Sequence, residues 1–353
     1  MKNGGIIRFL LVCVICFAVV FYNSARFISF PFIKEEKNIL KTESFFYDDT
    51  IPLLNTEQKE NIKEEKKETQ SETVQSEKKE ENSEQVSASA VKGKIISQYI
   101  SPYNAPLSYS KVYMKNSTDL DVNIKKLLSD PLSFKIEKSS KPQVLIIHTH
   151  TTETYMSDDS EYYTEDFKSR STDNSRNMAK IGSIVAEKLN NAGIKTIHDK
   201  TQHDYPQYSG SYGRAAKTIN SYLKKYPDIK IVLDLHRDAV SSGESDKVKL
   251  VTEIEGKKAA QVMLVMGSQS GTVTNFPNWK ENLKLAVRLQ QTFEKKYPTL
   301  ARPLSLMPKN YNQSLTKGSL LIEFGTDANS LEEATYSASL VGNCLVSLLK
   351  NLE

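Results

Sequence analysis

Cysteine is scarce in this sequence, which has 353 residues and only three cysteines. Two of them, Cys13 and Cys16, lie in the first apolar run, so that only Cys344 is left for the remainder of the chain. That remainder has too few cysteines for a Cys-rich zinc site or for an internal disulfide.

An excess of charge of one sign is also missing, because 47 Lys and Arg side chains stand against 43 Asp and Glu side chains, for a net charge of +4. Proteins that bind nucleic acid usually concentrate Lys and Arg on one face or in one tail. No such concentration occurs here, so we expect no nucleic-acid partner. Hydrophobic residues make up 39% of the chain, below the roughly 45 to 50% typical of globular proteins, so part of its length is expected not to pack.

The motifs of two other enzyme classes are absent as well. HRD at 236–238 resembles the kinase catalytic loop, but Gly243 stands where that loop requires asparagine. There is no glycine-rich phosphate loop, no DFG motif and no G-x-S-x-G nucleophile elbow. We therefore expect neither kinase activity nor a serine-based triad.

The N-terminus carries the one long apolar run, FLLVCVICFAVVFY at residues 9–22. With its flanking residues it approaches the roughly 20 residues that cross a bilayer as a helix. Lys2 and Arg8 precede it, which by the positive-inside rule keeps the N-terminus in the cytoplasm and places the rest outside. The Asn-Ser-Ala sequence that follows is a weak match to a signal-peptide cleavage site. We expect residues 1–33 to form a cytoplasmic N-terminus and a retained transmembrane anchor.

A charged segment follows the apolar run. Between residues 57 and 85 the only aliphatic residues are Ile62 and Val74. Such a segment cannot bury enough apolar surface to offset its ordering entropy, and it lacks the apolar stripe of a coiled coil. Residues 34–93 are therefore predicted to be a disordered tether that gives the following domain reach from the membrane.

Residues 94–353 read as one folded domain in which strand-like and helix-like segments alternate. The predicted strands are residues 144–148, 194–197, 229–235, 260–267 and 319–324, and the predicted helices are 177–190, 214–226 and 282–296. This alternation predicts an α/β fold with a mostly parallel sheet flanked by helices. Ligands of such sheets bind at the carboxyl ends of the strands.

Polar side chains occur at several of these strand ends. His148 and His150 follow the first of the predicted strands, His236 follows the third, and Glu323 stands near the end of the last. If these strands are neighbours, two histidine-bearing segments and a carboxylate meet at one edge of the sheet. This arrangement predicts a metal-dependent hydrolase.

Catalytic zinc takes about three protein ligands, typically imidazoles and a carboxylate, and it increases the acidity of water. His150, His236 and Glu153 are the candidate ligands, with Asp173 as an alternative to Glu153. A separate carboxylate moves the proton from water to the leaving amine, and Glu323 is the candidate for this role.

Each of these residues also has a structural interpretation. A histidine at a strand end is often a hydrogen-bonded structural residue, and Glu323 could be buried as an ion pair with Arg237 or Arg302. The remaining histidines, His198 and His203, are expected to be polar loop residues.

Four ordered motifs carry a resemblance to a known family. They are HTHTTETY at 148–155, DLHRDA at 234–239, NYNQSL at 310–315 and LLIEFGTDANSLEEA at 320–334. Together they resemble stage II sporulation protein P of endospore-forming bacteria, over residues 94–353. More distantly, the second and fourth resemble segments of the zinc-dependent N-acetylmuramoyl-L-alanine amidases, which implies a zinc amidase-like fold.

The resemblance implies a peptidoglycan hydrolase that cleaves the amide between N-acetylmuramic acid and L-alanine, with possible cleavage of peptide crosslinks. It also implies a role in septal wall thinning and forespore engulfment, with stage II sporulation proteins D and M as partners and the domain in the septal space. His236 would be a Zn²⁺ ligand and Glu323 the catalytic acid/base.

This sequence departs from the amidase pattern at two places. The amidases carry D-x-G-H-G-G after their first strand, so whether His148 or His150 binds metal stays open here. Asp173 stands near the position of their zinc-binding glutamate, and Glu153 is supported only by its proximity in sequence. The other histidine of the pair, together with Arg237 and Asp238, is expected to orient a ligand or contact substrate.

The sequence leaves two alternatives to an amidase. One is a peptidase that cuts only peptide crosslinks, and the other is a non-catalytic peptidoglycan-binding scaffold. Tyrosines in the loops could stack on sugar faces or simply pack in those loops. They are Tyr155, Tyr162, Tyr163, Tyr205, Tyr208 and Tyr212.

Overall fold

The computed structural model of the protein describes residues 90–352. The predicted anchor, and the tether up to residue 89, lie outside the described residues. Within residues 90–352, no helix is long and apolar enough to cross a membrane.

The described part of the chain contains thirteen strands and five α-helices. The strands are β1 (Val91–Gln98), β2 (Leu107–Tyr109), β3 (Val112–Asn116), β4 (Val144–Ile147), β5 (Tyr162–Thr164), β6 (Thr196–His198), β7 (Ile231–Asp238), β8 (Ser241–Ser242), β9 (Asp246–Ile254), β10 (Lys257–Ala260), β11 (Val262–Gly267), β12 (Leu304–Met307) and β13 (Ser319–Thr326). The helices are α1 (Ile124–Ser129), α2 (Met178–Asn191), α3 (Ser211–Lys225), α4 (Trp279–Lys296) and α5 (Leu331–Lys350).

The strands form two sheets, and both are mixed. The larger has the order β2-β3-β12-β11-β13-β7-β4-β6, and its β2–β3 and β11–β13 pairs are antiparallel while the others are parallel. The smaller has the order β10-β9-β1-β5, with β8 paired to β9, and only its β1–β9 pair is parallel. The predicted α/β class is confirmed, but the expectation of a mostly parallel sheet is wrong.

Tight turns explain part of this mixture. Ser110 and Lys111 join β2 to β3 with φ of 50° and 65°, and Glu255 and Gly256 join β9 to β10 with φ of 52° and 75°. Two successive residues with positive φ form the turn of a β-hairpin, which connects only antiparallel strands. The alternation of strand-like and helix-like segments predicts helical crossovers and does not reveal these hairpins.

The two faces of the larger sheet are covered unequally. One face carries the main core, in which β-strand residues such as Ile146 and Ile322 lie in one apolar cluster with α2, α4 and α5. On the other face α3 packs through Ala215 and Ile219 against β4 and β7. Beyond α3 this second face borders an open cleft of about 500 Å³, lined by Met263 of β11 among others.

Candidate active site

His236 and Glu323 lie side by side on neighbouring parallel strands. His236 belongs to β7 and Glu323 to β13, and the two residues are direct partners in the register of the pair. Partners in a parallel pair project from the same face of the sheet. Both side chains are buried, with exposed fractions of 3% and 5%. They point to the face that α3 covers only in part.

His150 and Glu153 reach the same place from the turn that follows β4. The Glu153 amide donates to the His150 carbonyl at 3.2 Å, which closes the turn. The ring centroids of His150 and His236 are 5.3 Å apart and the rings are perpendicular. Glu153 Oε2 lies 3.7 Å from His236 Nδ1. Two imidazoles and a carboxylate therefore face one another.

These four side chains line one cavity of about 40 Å³. The cavity is completed by Arg170, Tyr208, Tyr212, Arg237, Asp238 and Ala239. The structure thus brings together His150, Glu153, His236 and Glu323, and it adds Arg237 and Asp238 to the same wall.

Asp234 orients His236, and sequence reasoning missed it. Its Oδ1 lies 2.9 Å from His236 Nε2, an ion-pair contact that lacks the angle of a hydrogen bond, since Nε2 has no hydrogen-bond partner among the described residues. Thr149 fixes the carboxylate in turn, through its amide at 2.8 Å and its hydroxyl at 2.6 Å. With Asp234 beside Nε2, the other ring nitrogen of His236, Nδ1, faces Glu153. The D-x-H spacing could have indicated the contact between Asp234 and His236, since alternate residues of a strand share a face.

The charges around His236 are predominantly negative. Burial lowers the pKa of this imidazole, but the carboxylates of Asp234, Glu153 and Glu323 outweigh burial and raise the pKa to about 10. Burial also raises the pKa of Glu323 to about 8, although His236 and Arg302 act in the opposite direction. Near neutral pH the His236 ring is therefore a cation balanced by these carboxylates, and a metal ion bound here would have to displace its proton.

His150 is held by two hydroxyl groups. Its Nε2 lies 3.2 Å from the Tyr208 hydroxyl and its Nδ1 lies 3.3 Å from the Ser211 hydroxyl. The Tyr208 ring also stacks on the imidazole, with centroids 4.6 Å apart. Burial, helped by the positive charges of His236 and Arg170, lowers the pKa of His150 well below its usual value. The lowered pKa favours the neutral ring, which is the form that binds a metal.

The residue types that line this cavity fit a zinc ion. In this structure, however, their nitrogen and oxygen donor atoms do not point at one common position. Within residues 90–352, no group of three or more His, Cys, Asp or Glu side chains is positioned to hold a metal ion. The donor set of His150, Glu153 and His236 matches the ligands that catalytic zinc uses. Glu323 Oε2 is buried and has no hydrogen-bond partner among the described residues. If His150 bound a metal, the metal would replace one of the two hydroxyl groups that contact its ring nitrogens.

His148 lies outside this cavity. Its Nδ1 contacts the Leu235 carbonyl at 3.0 Å and its Nε2 contacts His198 Nε2 at 2.9 Å. The ring is fully buried, and burial together with His198 lowers its pKa to about 3. The structure therefore separates the two histidines that the sequence left open, because only His150 lines the cavity. His148 instead supports the backbone next to His236.

Asp173 also lies away from the cavity. It is exposed, and its carboxylate accepts hydrogen bonds from the Ser175 amide at 2.9 Å and the Ser175 hydroxyl at 2.7 Å. These contacts form a local turn before α2. Of the two acidic candidates, only Glu153 faces the histidines.

The ion pair considered for Glu323 does not form among the described residues. Arg302 pairs with Asp238 at 3.0 Å instead. The guanidinium of Arg237 donates to the backbone carbonyls of Thr154 and Ser169. Glu323 is left as a buried carboxyl group facing the cavity.

The remaining histidines are more ordered than the sequence suggested. His203 is 2% exposed, and its ring contacts the His148 carbonyl at 2.8 Å and the Thr218 hydroxyl at 2.9 Å. His198 ends β6 and contacts His148. The expectation of a polar loop residue is wrong for His198, which ends a strand and is half-buried, whereas His203 lies in a loop as expected but is buried there.

The six loop tyrosines have different environments. Tyr208 and Tyr212 line the cavity, whereas Tyr155 is buried and donates to the Phe324 carbonyl at 3.0 Å. Tyr163 donates to the Ser245 carbonyl. Tyr162 and Tyr205 are exposed. Only two of the six are therefore placed to touch a ligand at the site.

We expect Gly182→Ala to lower the free energy of unfolding by about 1 to 3 kcal/mol, although alanine usually stabilises helices. Gly182 lies in α2, where an added Cβ would lie 2.6 Å from His148 Nε2 and 2.4 Å from His198 Nε2. His148 is fully buried and cannot move aside without disturbing the backbone next to His236. Denaturant unfolding would measure the change.

The matched control is Gly213→Ala in α3. No atom lies within 4 Å of the Cβ that this change adds. The control is expected to be neutral or to stabilise by up to about 1 kcal/mol. Equal stabilisation by both substitutions would contradict the close packing of α2 on the histidine pair.

Fold and site together define a class, namely a mixed α/β protein with a buried cluster of histidine and glutamate side chains at the carboxyl ends of neighbouring strands. The family model of stage II sporulation protein P matches residues 29–345 of this chain. The chain therefore belongs to the stage II sporulation protein P family.

Individual proteins are similar to lesser degrees. Stage II sporulation protein P of Bacillus subtilis (strain 168) is 30% identical over 210 residues, which cover 56% of this chain and 49% of that protein. The chain thus spans about half the length of this curated relative.

Solved structures with a similar arrangement include two amidases. The CwlD amidase of Clostridioides difficile, solved in complex with the GerS lipoprotein, is 11% identical, with 60% of this chain and 98% of that chain covered and a TM-score of 0.37. The N-acetylmuramyl-L-alanine amidase Ami1 of Mycobacterium smegmatis is 12% identical, with 62% and 100% covered and a TM-score of 0.36.

Proposed function

We propose that this protein is a zinc-dependent N-acetylmuramoyl-L-alanine amidase that acts on peptidoglycan during sporulation. One observation carries the proposal: in a chain of the stage II sporulation protein P family, His150, Glu153, His236 and Glu323 line one small cavity. The reaction is hydrolysis of the amide between the lactyl group of N-acetylmuramic acid and the nitrogen of L-alanine.

The side chains divide into two roles in this proposal. His150, Glu153 and His236 would hold the zinc ion, which when bound polarises the amide carbonyl and makes water more acidic. In its ionised form, which a bound cation would favour, Glu323 takes a proton from the attacking water and delivers it to the alanine nitrogen as the C–N bond breaks. The products are a free muramic carboxylate and a stem peptide with a free amine.

Asp234 would position the ligand His236. Carboxylates that hydrogen-bond to a metal-binding imidazole fix its orientation and raise its basicity. The Thr149 contacts to both carboxylate oxygens keep Asp234 in place. The turn after β4 thus supports β7 as well as supplying His150 and Glu153.

Digestion of purified peptidoglycan by the full-length protein tests the proposed reaction. Released stem peptides would be identified by mass spectrometry, with and without a chelator. An amidase releases stem peptides with a free L-alanine amine and leaves bare glycan, and the chelator abolishes the release. Cleavage of crosslinks alone would favour the peptidase, and binding without release under any metal condition would favour the scaffold.

We also propose that residues 1–33 anchor the protein in the cell membrane as a single span, with the folded domain outside the cytoplasm. The apolar run at residues 9–22 and the preceding Lys2 and Arg8 support this orientation. In this location the protein would thin the septal wall and promote engulfment with stage II sporulation proteins D and M. Protease added to intact protoplasts would digest the domain, and a protected domain would refute the orientation.

A further inference from the structure

Two larger spaces adjoin the candidate active site. The open cleft of about 500 Å³ shares Asp238 and Glu323 with the site cavity. A second space of about 380 Å³, which we call the arginine cavity, shares Arg170, Tyr208 and Arg237 with it. The cleft and the arginine cavity have no lining residue in common. A substrate that crosses the site can therefore extend into a different space on each side of the reacting bond.

Most charges of the arginine cavity are already paired. Arg170 Nη1 contacts Asp204 at 2.6 Å, and Lys247 forms an ion pair with Asp327. Arg237 is the exception, because no carboxylate of the described residues lies within ion-pair distance of its guanidinium. Arg237 is therefore the cation of this lining without a direct ion pair among the described residues, although, against the opposing effect of burial, the carboxylates of Glu153 and Asp327 lie close enough to raise its pKa.

Backbone carbonyl groups hold the Arg237 guanidinium in one orientation. Nε donates to Thr154 at 3.1 Å, Nη2 to Ser169 at 2.6 Å and Nη1 to the carbonyl of Asp238 at 3.3 Å. The side chain is buried, with 7% exposed. A guanidinium has five N–H donors, so two remain for a ligand after these three bonds. A fixed guanidinium with free donors binds carboxylates strongly.

The positive charges of the open cleft are balanced by carboxylates in its own lining, although Arg302 Nε and Nη2 are buried there without a hydrogen-bond partner among the described residues. Its charged lining residues are Lys115, Arg302, Asp238 and Glu323, and Arg302 is paired with Asp238. Lys115 and Glu323 are of opposite sign. Apolar side chains such as Met263 and Val265 form part of its floor. This cleft suits a neutral ligand with apolar faces, such as a sugar chain.

We propose that the arginine cavity binds the acidic stem peptide, with Arg237 paired to the α-carboxylate of D-glutamate, the second residue of the stem. The inference rests on the proposed amidase function, in which the two sides of the scissile amide differ in charge. The glycan is neutral there because the lactyl carboxyl group is amidated, whereas the stem peptide carries free carboxylates. The glycan then lies in the open cleft.

Two matched substrates test this assignment without any mutation. Uncrosslinked glycan strands would carry stems with either D-glutamate or D-isoglutamine in second position, which differ only by amidation of the α-carboxyl group. We expect the KM of the wild-type protein to be about tenfold or more lower for the acidic strands, the size of one charge-assisted hydrogen bond. Equal KM values would overturn the assignment.

Arg237→Gln should remove this preference, because it raises the KM for the acidic strands more than the KM for the amidated strands. If the guanidinium instead stabilised the charge that develops on the carbonyl oxygen, kcat would fall equally for both substrates, and the proposal would be refuted. The matched control is Arg288→Gln, since Arg288 also donates to backbone carbonyls, those of Leu127, Leu128 and Asp130, away from these cavities. It should keep the wild-type preference.

A binding measurement separates failure of this assignment from failure of the proposed function. Calorimetric titration of full-length Glu323→Gln with the two strands requires no turnover. Tighter binding of the acidic strands, by about tenfold, supports the carboxylate site even if the wild-type protein cleaves neither substrate. Equal affinities alongside normal amide cleavage would refute the site and leave the amidase standing.

Discussion

Replacement of Glu323 by glutamine is expected to lower the rate of amide hydrolysis about 100- to 10,000-fold, the range that general acid/base catalysis contributes. Glutamine keeps the shape of the side chain but cannot accept and return a proton. No other carboxylate can take over easily, because Asp234 is engaged by Thr149 and His236 and Asp238 is paired with Arg302. Release of free alanine amines from peptidoglycan would measure the rate.

The same substitution should leave the fold intact. Glu323 is buried and one of its oxygens has no hydrogen-bond partner among the described residues, so its ionised form is costly to bury and burial raises the pKa of the carboxyl group to about 8. A neutral amide removes that cost, and we expect no loss in thermal stability. An inactive and unfolded variant would therefore contradict the structural argument.

Glu294→Gln is the matched control for this experiment. Glu294 is also a buried glutamate, but its Oε1 accepts from the Tyr103 hydroxyl at 2.8 Å and it does not line the site cavity. Activity should remain within about twofold of the wild-type value, since no proton transfer is lost. Near-normal hydrolysis by Glu323→Gln, together with normal binding of peptidoglycan, would remove Glu323 from the mechanism.

The sequence predicted the central strands well because these strands are buried on both faces. Continuous apolar runs marked β4, β7, β11 and β13, and each was placed within a few residues of its observed position. Glycine marked the end of α2, where Gly193 has φ of +82° and its amide donates to the Asn190 carbonyl at 2.9 Å. Strong local signals therefore sufficed for the centre of the fold.

The smaller sheet was missed because its strands lack that signal. In β9 and β10 charged and apolar residues are mixed, and β5 has only three residues. The helix α5 was missed as well, although Ser330 and Glu333 form a capping box at its start. The S-x-x-E pattern was visible in the sequence and would have indicated a helix start.

The candidate site could be predicted only in part. Within a strand the alternation of side chains tells which face of the sheet a residue occupies, whereas in a turn no such rule applies. His236 and Glu323 lie within strands, so their shared edge followed from the strand assignment. His148 and His150 lie beyond the end of β4, where the alternation of faces no longer applies. Their separate positions depend on the turn closed by Glu153 and on contacts with Leu235, Tyr208 and Ser211. These contacts are distant in sequence, so no local pattern reveals them.

His236→Ala is expected to abolish zinc binding by the purified protein, together with its hydrolase activity. In the proposed site this substitution removes one of three ligands and leaves the carboxylates of Glu153 and Asp234 without the imidazole between them. Metal content of the dialysed protein, measured by mass spectrometry, gives a readout that does not depend on turnover. We expect zinc near one equivalent in the wild-type protein and only background in the variant.

A substitution next to His236 should weaken zinc binding without abolishing it. Asp234→Asn keeps all three proposed ligands but weakens the orientation of His236, so zinc affinity should fall about 10- to 100-fold in competition with a chelating dye. His198→Ala is the control, since His198 also ends a strand but contacts His148 and does not line the cavity. It should keep its zinc even if its melting temperature falls. The chain has five histidines, of which His150 and His236 line the cavity and the other three lie behind it. Zinc that is retained by His236→Ala and lost from His198→Ala would therefore place the metal among the histidines behind the cavity.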